Sequence, residues 1–214
     1  MARVAILANS MRPDGRCLAG IDLATGEWVR PITRDGDGIP PQRCVIDGRL
    51  IRLLDILELD LSRPRTVEEY QKENLFIRNW HWRINHRVRP KTVSQFIDTT
   101  DPILHSDNDR VDPRILQGLP SDEWRSLQLV KPRRLVFSRH YWVPNRWVAS
   151  FSDSKGNSYS LKITDSEATR RLERGVTISK RSLLTVSMTK PWTPDPAKKP
   201  SMCYKVVAAV IDLK

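Results

Sequence analysis

Apolar and polar residues alternate along two stretches of the C-terminal half, 147–151 and 159–163, as they do in strands with one buried face. The residues between them, Asp-Ser-Lys-Gly-Asn at 153–157, favour a turn. Three further apolar runs have the length of strands. The predicted strands of this half are 135–137, 147–151, 159–163, 183–188 and 203–213.

One helix is predicted between the third and fourth of these strands. Thr164 and Glu167 have the spacing of a capping box, and Gly175 favours a left-handed stop. Three strands, a helix and two strands is the order of an OB fold, a small Greek-key barrel. The segment 190–201 carries four prolines and is predicted to be a loop.

The N-terminal half also consists mainly of predicted strands. Apolar runs predict them at 3–8, 16–22, 27–32, 50–61 and 75–77, the last of this half. A stretch rich in Gly, Pro and Asp at 33–48 is predicted as a loop, so we interpret this half as a second barrel with a loop in place of the helix.

The predicted fold class is therefore mainly β, with two OB-like Greek-key barrels joined by a connector. Residues 98–123 hold seven acids against two arginines. The predicted domains are an N-terminal OB-like barrel at 1–91, an acidic, partly helical connector at 92–129 and a C-terminal OB-fold barrel at 130–214.

The formal net charge is +11, which favours a polyanionic partner. Two runs without an acid, 78–91 and 131–147, each hold five Lys or Arg among aromatic residues. Arginines that follow phosphates beside rings on which bases stack suit a single strand of nucleic acid. We predict a non-enzymatic protein that binds nucleic acid, with single strands favoured, on a surface across both barrels. The predicted contacts are Trp80, Trp82, Arg83, Arg87, Arg89, Arg133, Arg134, Arg139, His140, Trp142 and Arg146.

Periodicity separates these tryptophans only in part. Trp147 shares a strand face with Phe151 and is predicted to be structural. Trp142 precedes that strand in a segment broken by Pro144, so we expect it to be exposed. For Trp80 and Trp82 the pattern leaves stacking and core roles open.

Two other functions stay open. The polar turn with Asn9, Ser10, Arg16 and Cys17, together with Arg30, is a candidate small-ligand pocket of a module that senses a nucleotide or a modified base. The exposed tryptophans also suit an adaptor that binds a partner protein.

Enzyme chemistry is not predicted. The chain has no phosphate-binding P-loop and no dinucleotide fingerprint. Asp153 and Lys162 are spaced like part of a nuclease metal motif, but Ser160 stands where a second carboxylate belongs. We predict no catalytic residue, no metal site and no cofactor.

The spacing of the cysteines and the hydropathy of the chain indicate the cellular compartment. The three cysteines lie far apart without a CxxC pair, which favours a reducing cytoplasm. The first apolar stretch is too short for a signal peptide, and no run of about 18 apolar residues predicts a membrane span. We expect a cytoplasmic protein that does not interact with membranes.

Several strings of the sequence resemble the bacterial dual OB-fold domain family. They are 7–10, 15–22 and 26–31 near the N-terminus, and 150–153, 159–165 and 204–211 in the second half. The resemblance implies two OB barrels and a role in binding nucleic acids or nucleotides in prokaryotic defence and conflict systems. It carries over no catalytic residues.

Overall fold

The computed structural model describes residues 1–12, 15–36, 38–64, 70–197 and 199–213. The chain forms two compact units. Unit 1 comprises the described residues of 1–66 and 73–96, and unit 2 comprises those of 67–72 and 97–214. Both are mainly β, and each has its own hydrophobic core. The predicted fold class is confirmed.

Unit 1 is built on an antiparallel meander. Its described strands are β1 (Ala2–Arg12), β2 (Gly15–Asp22), β3 (Trp28–Ile32), β4 (Val45–Ile46), β5 (Arg49–Leu50), β6 (Asp55–Leu59), β7 (Leu61–Ser62), β8 (Asn74–Ile77) and β9 (Arg83–Arg87). β1 pairs with β2 and β2 with β3, and β8 then joins β3 in parallel. The short helix α1 (Pro90–Val93) follows β9.

A bent strand closes this sheet into a barrel. Asp60 divides this strand into β6 and β7. β6 pairs with β1, whereas β7 pairs with β8. This is the strand order of an OB fold. The described residues of 33–54 hold a 3-10 turn at Pro41–Cys44 and the small β4–β5 hairpin, so this region takes the place of the helix as predicted.

β9 lies beyond the last strand that was predicted for this half. It pairs antiparallel with β6 and ends the order of strands in the described sheet. Ile84 packs against the core, while Arg83, His86 and Arg87 are exposed. One apolar residue among charged neighbours is too weak a pattern to mark a strand.

Unit 2 has the strand and helix order that was predicted for 130–214. Its described elements are β10 (Arg110–Val111), α2 (Pro113–Gln117), β11 (Leu127–Val130), β12 (Arg133–Arg139), β13 (Trp147–Ser152), β14 (Ser158–Ile163), α3 (Ser166–Glu173), β15 (Leu183–Met188) and β16 (Cys203–Ile211). β12, β13 and β14 form a meander, and β16 lies between β14 and β15.

A bent strand closes this barrel as well. β11 pairs with β15, and β12 pairs with β13. Lys131 and Pro132 stand between β11 and β12, where proline interrupts the ladder. The prediction started this strand at Leu135 because Pro132 interrupts the apolar run.

The cap of α3 lies one residue later than predicted. The side chain of Asp165, rather than that of Thr164, accepts the N–H groups of Glu167 (2.9 Å) and Ala168 (3.0 Å). The second Asp165 oxygen accepts the N–H of Val210 (2.9 Å), which ties the helix to β16. Burial raises the pKa of Asp165, and these three hydrogen bonds oppose the shift. The predicted stop at Gly175 is confirmed by its φ of 71°.

The segment 92–129 is divided between the two units after residue 96. In unit 2, Ile103, Leu104, Val111 and Leu116 of this segment lie in the core. None of the helices in the described part of the chain has the length and apolar character to cross a membrane.

A buried lysine joins this segment to the barrel of unit 2. Nζ of Lys205 on β16 donates to the carbonyl oxygens of Ile103 (2.6 Å) and Ser106 (2.5 Å) and to Oγ of Ser106 (2.9 Å). Burial lowers the pKa of Lys205 to about 7, and nearby aspartates oppose that shift. The segment is therefore held by hydrogen bonds from the Lys205 amino group as well as by apolar packing.

Candidate nucleic-acid interface

The outer surface of β12–β14 in unit 2 carries serine, valine and lysine side chains, of which Val148 is buried. Ala149, Phe151 and Leu161 point into the core, so the residues between them point outward. Oγ of Ser150 and Oγ of Ser160 are 3.2 Å apart on this surface. Two rows across the three strands, Val136–Ser150–Ser160 and Ser138–Val148–Lys162, define what we call the serine face.

An aromatic pair borders the serine face on the side of β16. Lys162 pairs with Val206, and Tyr204 lies two residues earlier on the same side of β16. The ring of Tyr204 packs edge-on against Trp192, with 5.8 Å between centroids, and Trp192 is 57% exposed. The Arg110 guanidinium lies 6.0 Å from the centroid of the Tyr204 ring. A positive charge and two aromatic rings therefore stand together.

Backbone hydrogen bonds hold Trp192 in place. Its N–H donates to the Met202 carbonyl (3.0 Å), and the Met202 N–H donates to the Trp192 carbonyl (2.9 Å). The Thr189 N–H donates to the Tyr204 carbonyl (2.8 Å). The ends of the proline-rich loop are thus paired like a hairpin, and the ring is presented from a fixed backbone.

The β12–β13 loop carries a second aromatic pair. Tyr141 is 84% exposed and Trp142 is 80% exposed, and their rings meet edge-on at 4.6 Å. The His140 N–H donates to the Arg146 carbonyl (2.7 Å), and Nδ1 of His140 accepts the Trp142 N–H (3.2 Å). The predicted exposure of Trp142 is confirmed.

Arg139 fastens the base of this loop. Its guanidinium lies 4.4 Å from the centroid of the Trp147 ring, and its Nη1 donates to the Pro144 carbonyl (3.2 Å). Trp147 is half-buried and packs against the core, which confirms its predicted structural role. Arg139 therefore supports the loop, in addition to the charge that it carries.

Other basic side chains lie along β12. Arg133 and Arg134 are exposed. Arg134 has a φ of 53° at a shift in the β12–β13 register, as in a β-bulge. Arg146, at the other end of the β12–β13 hairpin, is half-buried.

The corresponding surface of unit 1 is covered at the centre of β1 and β2. Val4, Ile6 and Leu18 lie in the core, so Ala5 and Ala19 point to the outside of the β1–β2 sheet. Ala5 and Ala19 are nevertheless buried. The β1–β2 part of this face is therefore covered at these two positions.

The run 78–91 of unit 1 differs from its prediction at the tryptophans. Trp82 is 5% exposed, lies in the core and donates from Nε1 to the Asn79 carbonyl (3.2 Å). Its predicted stacking role is wrong, because its ring is covered. Trp80 is half-buried beside Trp82, and the Arg43 guanidinium lies 5.1 Å from the centroid of its ring.

The arginines of this run separate into two kinds. Arg83 and Arg89 are exposed. Nε of Arg87 instead lies 3.4 Å from Oδ1 of the buried Asp55, and Nη2 donates to the Leu53 carbonyl (2.8 Å). Arg87 is thus part of the fold as well as of the basic surface.

A family model of the dual OB-containing domain matches residues 2–210. The chain belongs to the dual OB-containing domain family. Searches of curated proteins and of solved structures found no significant match. Membership agrees with the two barrels, each closed by a bent strand, and supports an OB-fold module.

Three residues of the interface were missed in the sequence. Trp192 stands in a loop that was identified only by its prolines, and Tyr204 and Arg110 lie on paired strands. In the OB order that defines the family, the loop between the last two strands commonly contacts ligand. A tryptophan in that loop was therefore an available signal.

The predicted small-ligand pocket is divided by the pleat. Nη1 of Arg16 donates to Oδ1 of Asn9 (2.9 Å), whereas Ser10 and Cys17 form the next cross-strand pair and point to the opposite face. Arg30 is buried and donates to Oδ1 of Asn74 on β8 (3.1 Å). The prediction that one pocket collects these side chains is wrong.

Within the described residues, no group of three or more His, Cys, Asp or Glu side chains is arranged to hold a metal ion. Asp153, the acid of the degraded nuclease motif, accepts hydrogen bonds from the N–H of Lys155, from Asn157 and from the Tyr159 hydroxyl. These contacts close a turn around its carboxylate.

Proposed function

We propose that the protein binds single-stranded nucleic acid across the serine face of unit 2. The observation that carries the proposal is the OB surface with an aromatic pair beside it at β16, Trp192–Tyr204, and a second exposed pair on the β12–β13 loop, Tyr141–Trp142. OB folds bind oligonucleotides on the corresponding strands and loops. The family supports this use, and the proposal includes the role in prokaryotic defence that the resemblance implies.

The serine face sets the scale of the ligand. β12, β13, β14 and β16 are four neighbouring strands, so three spacings of about 4.8 Å give a width of about 14 Å. That width accommodates a few nucleotides. The serine hydroxyls can donate to or accept from base edges, and the arginines of β12 and of the loop can follow the phosphates.

Stacking and charge make separate contributions to affinity. Each stacked base contributes about 1–3 kcal/mol to binding. Each neutralised phosphate makes the slope of log K against log salt concentration more negative by about 0.7 in a single-strand complex. An exposed ring can be removed without opening the core. Binding and folding are therefore separable at Trp142 and Trp192.

Fluorescence titration of labelled DNA and RNA oligonucleotides at two salt concentrations tests the proposal. Trp142→Ala and Trp192→Ala should each weaken binding by about 5- to 150-fold, with an unchanged melting temperature. Ile115→Ala removes a comparably exposed apolar side chain on α2 and is the matched control. Equal affinity in all four proteins, or affinity independent of salt, would contradict the proposal.

We also propose that binding is not coupled to cleavage. The carboxylate of Asp153 accepts hydrogen bonds from the backbone N–H groups of Lys155 and Asn157 and from the Tyr159 hydroxyl. Incubation of labelled oligonucleotides with the protein and Mg²⁺ should leave them intact. Cleavage that disappears in Asp153→Asn or Lys162→Ala would show a nuclease instead.

A further inference from the structure

We infer that unit 1 carries a separate phosphate-binding site, formed by Arg49 and Arg87 and held in position by the buried carboxylate of Asp55. The site lies on β5, β6 and β9 of unit 1, whereas the serine face belongs to unit 2. The inference does not depend on the proposal that the serine face binds nucleic acid. Its ligand is a phosphate group, either on a free nucleotide or in a nucleic-acid backbone.

Asp55 is the centre of the arrangement. Its side chain is 0% exposed, and Oδ1 accepts Nη2 of Arg49 at 2.5 Å and lies 3.4 Å from Nε of Arg87. Oδ2 accepts the backbone N–H of Arg52 at 2.8 Å. One arginine would balance a buried carboxylate, so the second leaves an excess positive charge at this position.

The two guanidiniums have donors to spare. Each has five N–H groups, and the bonds among the described residues involve Nη2 of Arg49 and Nε and Nη2 of Arg87. The side chains of Arg49 and Arg87 are 42% and 50% exposed. Donors that are fixed on one side by a carboxylate and open to solvent on the other suit a phosphate, which accepts two parallel N–H bonds.

The surroundings reinforce the positive potential. Arg52 and Arg89 are exposed next to the site in sequence. Two acids lie near in the chain: Asp47 at the β4–β5 turn, and Glu58, whose Oε1 accepts Nδ2 of Asn85. Together with the pair, four arginines therefore stand against three carboxylates (Asp47, Asp55 and Glu58) in these segments of the chain.

Calorimetric titration with AMP, and with adenosine as the phosphate-free control, tests the site in the full chain. Arg49→Ala and Arg87→Ala should each weaken AMP binding by about tenfold or more, which is the usual loss for a charge-assisted hydrogen bond. Arg83→Ala is the matched control, since it removes the same charge from an exposed position on β9 without touching Asp55. An equal loss in all three variants would overturn the site in favour of a diffuse field.

Asp55→Asn separates organised donors from charge alone. The substitution raises the net charge by one, so a diffuse field predicts tighter AMP binding, whereas loss of the orienting carboxylate predicts weaker binding. Arg49→Lys keeps the charge of an exposed side chain and should also bind AMP weakly, and it provides the same test if Asp55→Asn fails to fold. AMP affinity equal to that of the wild type in Arg49→Lys would overturn the proposal.

Oligonucleotides with and without a 5′-phosphate distinguish the two sources of the ligand. Preference for the 5′-phosphorylated form that Arg87→Ala removes assigns the site to terminal phosphates and nucleotides. Equal binding of both forms, with an equal loss in Arg87→Ala, assigns it to the backbone. Trp142→Ala should leave AMP affinity unchanged, so the failure of one proposal does not imply the failure of the other.

Discussion

The outer faces of the two barrels have the same strand order and opposite surroundings. In unit 1 the face is made of residues such as Ala5 and Ala19, and these are buried. In unit 2 it includes Ser150, Ser160 and Lys162, which are exposed or half-buried, and of its six residues only Val148 is buried. The strand order determines which side chains point outward. Whether those positions are apolar or polar depends on whether the outer face is covered or exposed to solvent.

The two basic runs show a second contrast. They are alike in composition, but Trp82 of the first lies in a core while Trp142 of the second is 80% exposed on a loop. Arg87 of the first is bound to a buried aspartate, whereas Arg133 of the second is exposed. Similar runs can therefore serve the fold in one unit and a ligand in the other.

The largest expected effect is a difference in stability when a carboxylate is placed on the outer face of one unit or of the other. Ala19→Glu should destabilise the protein by about 5 kcal/mol, because the carboxylate would be buried without a partner. Ser160→Glu, at an exposed position, should change stability by about 0.5 kcal/mol or less and should weaken nucleic-acid binding. Urea denaturation and oligonucleotide titration measure the two quantities. Equal stability losses would remove the contrast between the faces.

Tryptophan truncation tests the two runs. Trp82→Ala should cost about 3–4 kcal/mol of unfolding free energy, because it empties part of the core of unit 1. Trp142→Ala should unfold at the urea concentration of the wild type, since its ring is exposed. A large stability loss in Trp142→Ala would place that ring in a packed environment and remove it from the interface.

The fold was more predictable than the site for a physical reason. Alternation and turn residues are local signals, and they predicted β13, β14 and the end of α3. Burial of Trp82 depends on which elements surround it, and its charged neighbours in sequence give no indication of that. Trp192 was missed because its position is set by hydrogen bonds to Met202 across a proline-rich loop.

Buried charges provide a third comparison, through pH. Asp55 in unit 1 is paired with arginines, whereas Lys205 in unit 2 donates to carbonyl and hydroxyl oxygens. Since burial lowers the pKa of Lys205 from 10.5 to about 7, the unfolded chain binds more protons between these values, and stability rises with pH there. The contribution should be about 2 kcal/mol between pH 7 and pH 9.

The measurement is the difference in pH dependence between the wild type and Lys205→Met, which keeps an unbranched side chain one atom shorter and removes the titration. Urea denaturation at several pH values should show a shallower rise in the variant from pH 7 to pH 9. Parallel profiles would mean that the ammonium group is as well solvated by Ile103 and Ser106 as by water.

The smallest expected effect concerns how the exposed loop of unit 2 is held. Unit 1 anchors its basic run by the core tryptophan Trp82, but the loop at 140–146 of unit 2 depends on Arg139 over Trp147 and on its bond to Pro144. Arg139→Met keeps the aliphatic stem and should cost about 1 kcal/mol, the usual size of a partly exposed cation–π contact with one hydrogen bond. Amide exchange should become faster at His140 and Arg146, which close the loop, and stay unchanged at Leu161 in the barrel. Unchanged exchange at His140 would show that the backbone bonds alone hold the loop and that Arg139 is available to contact phosphate.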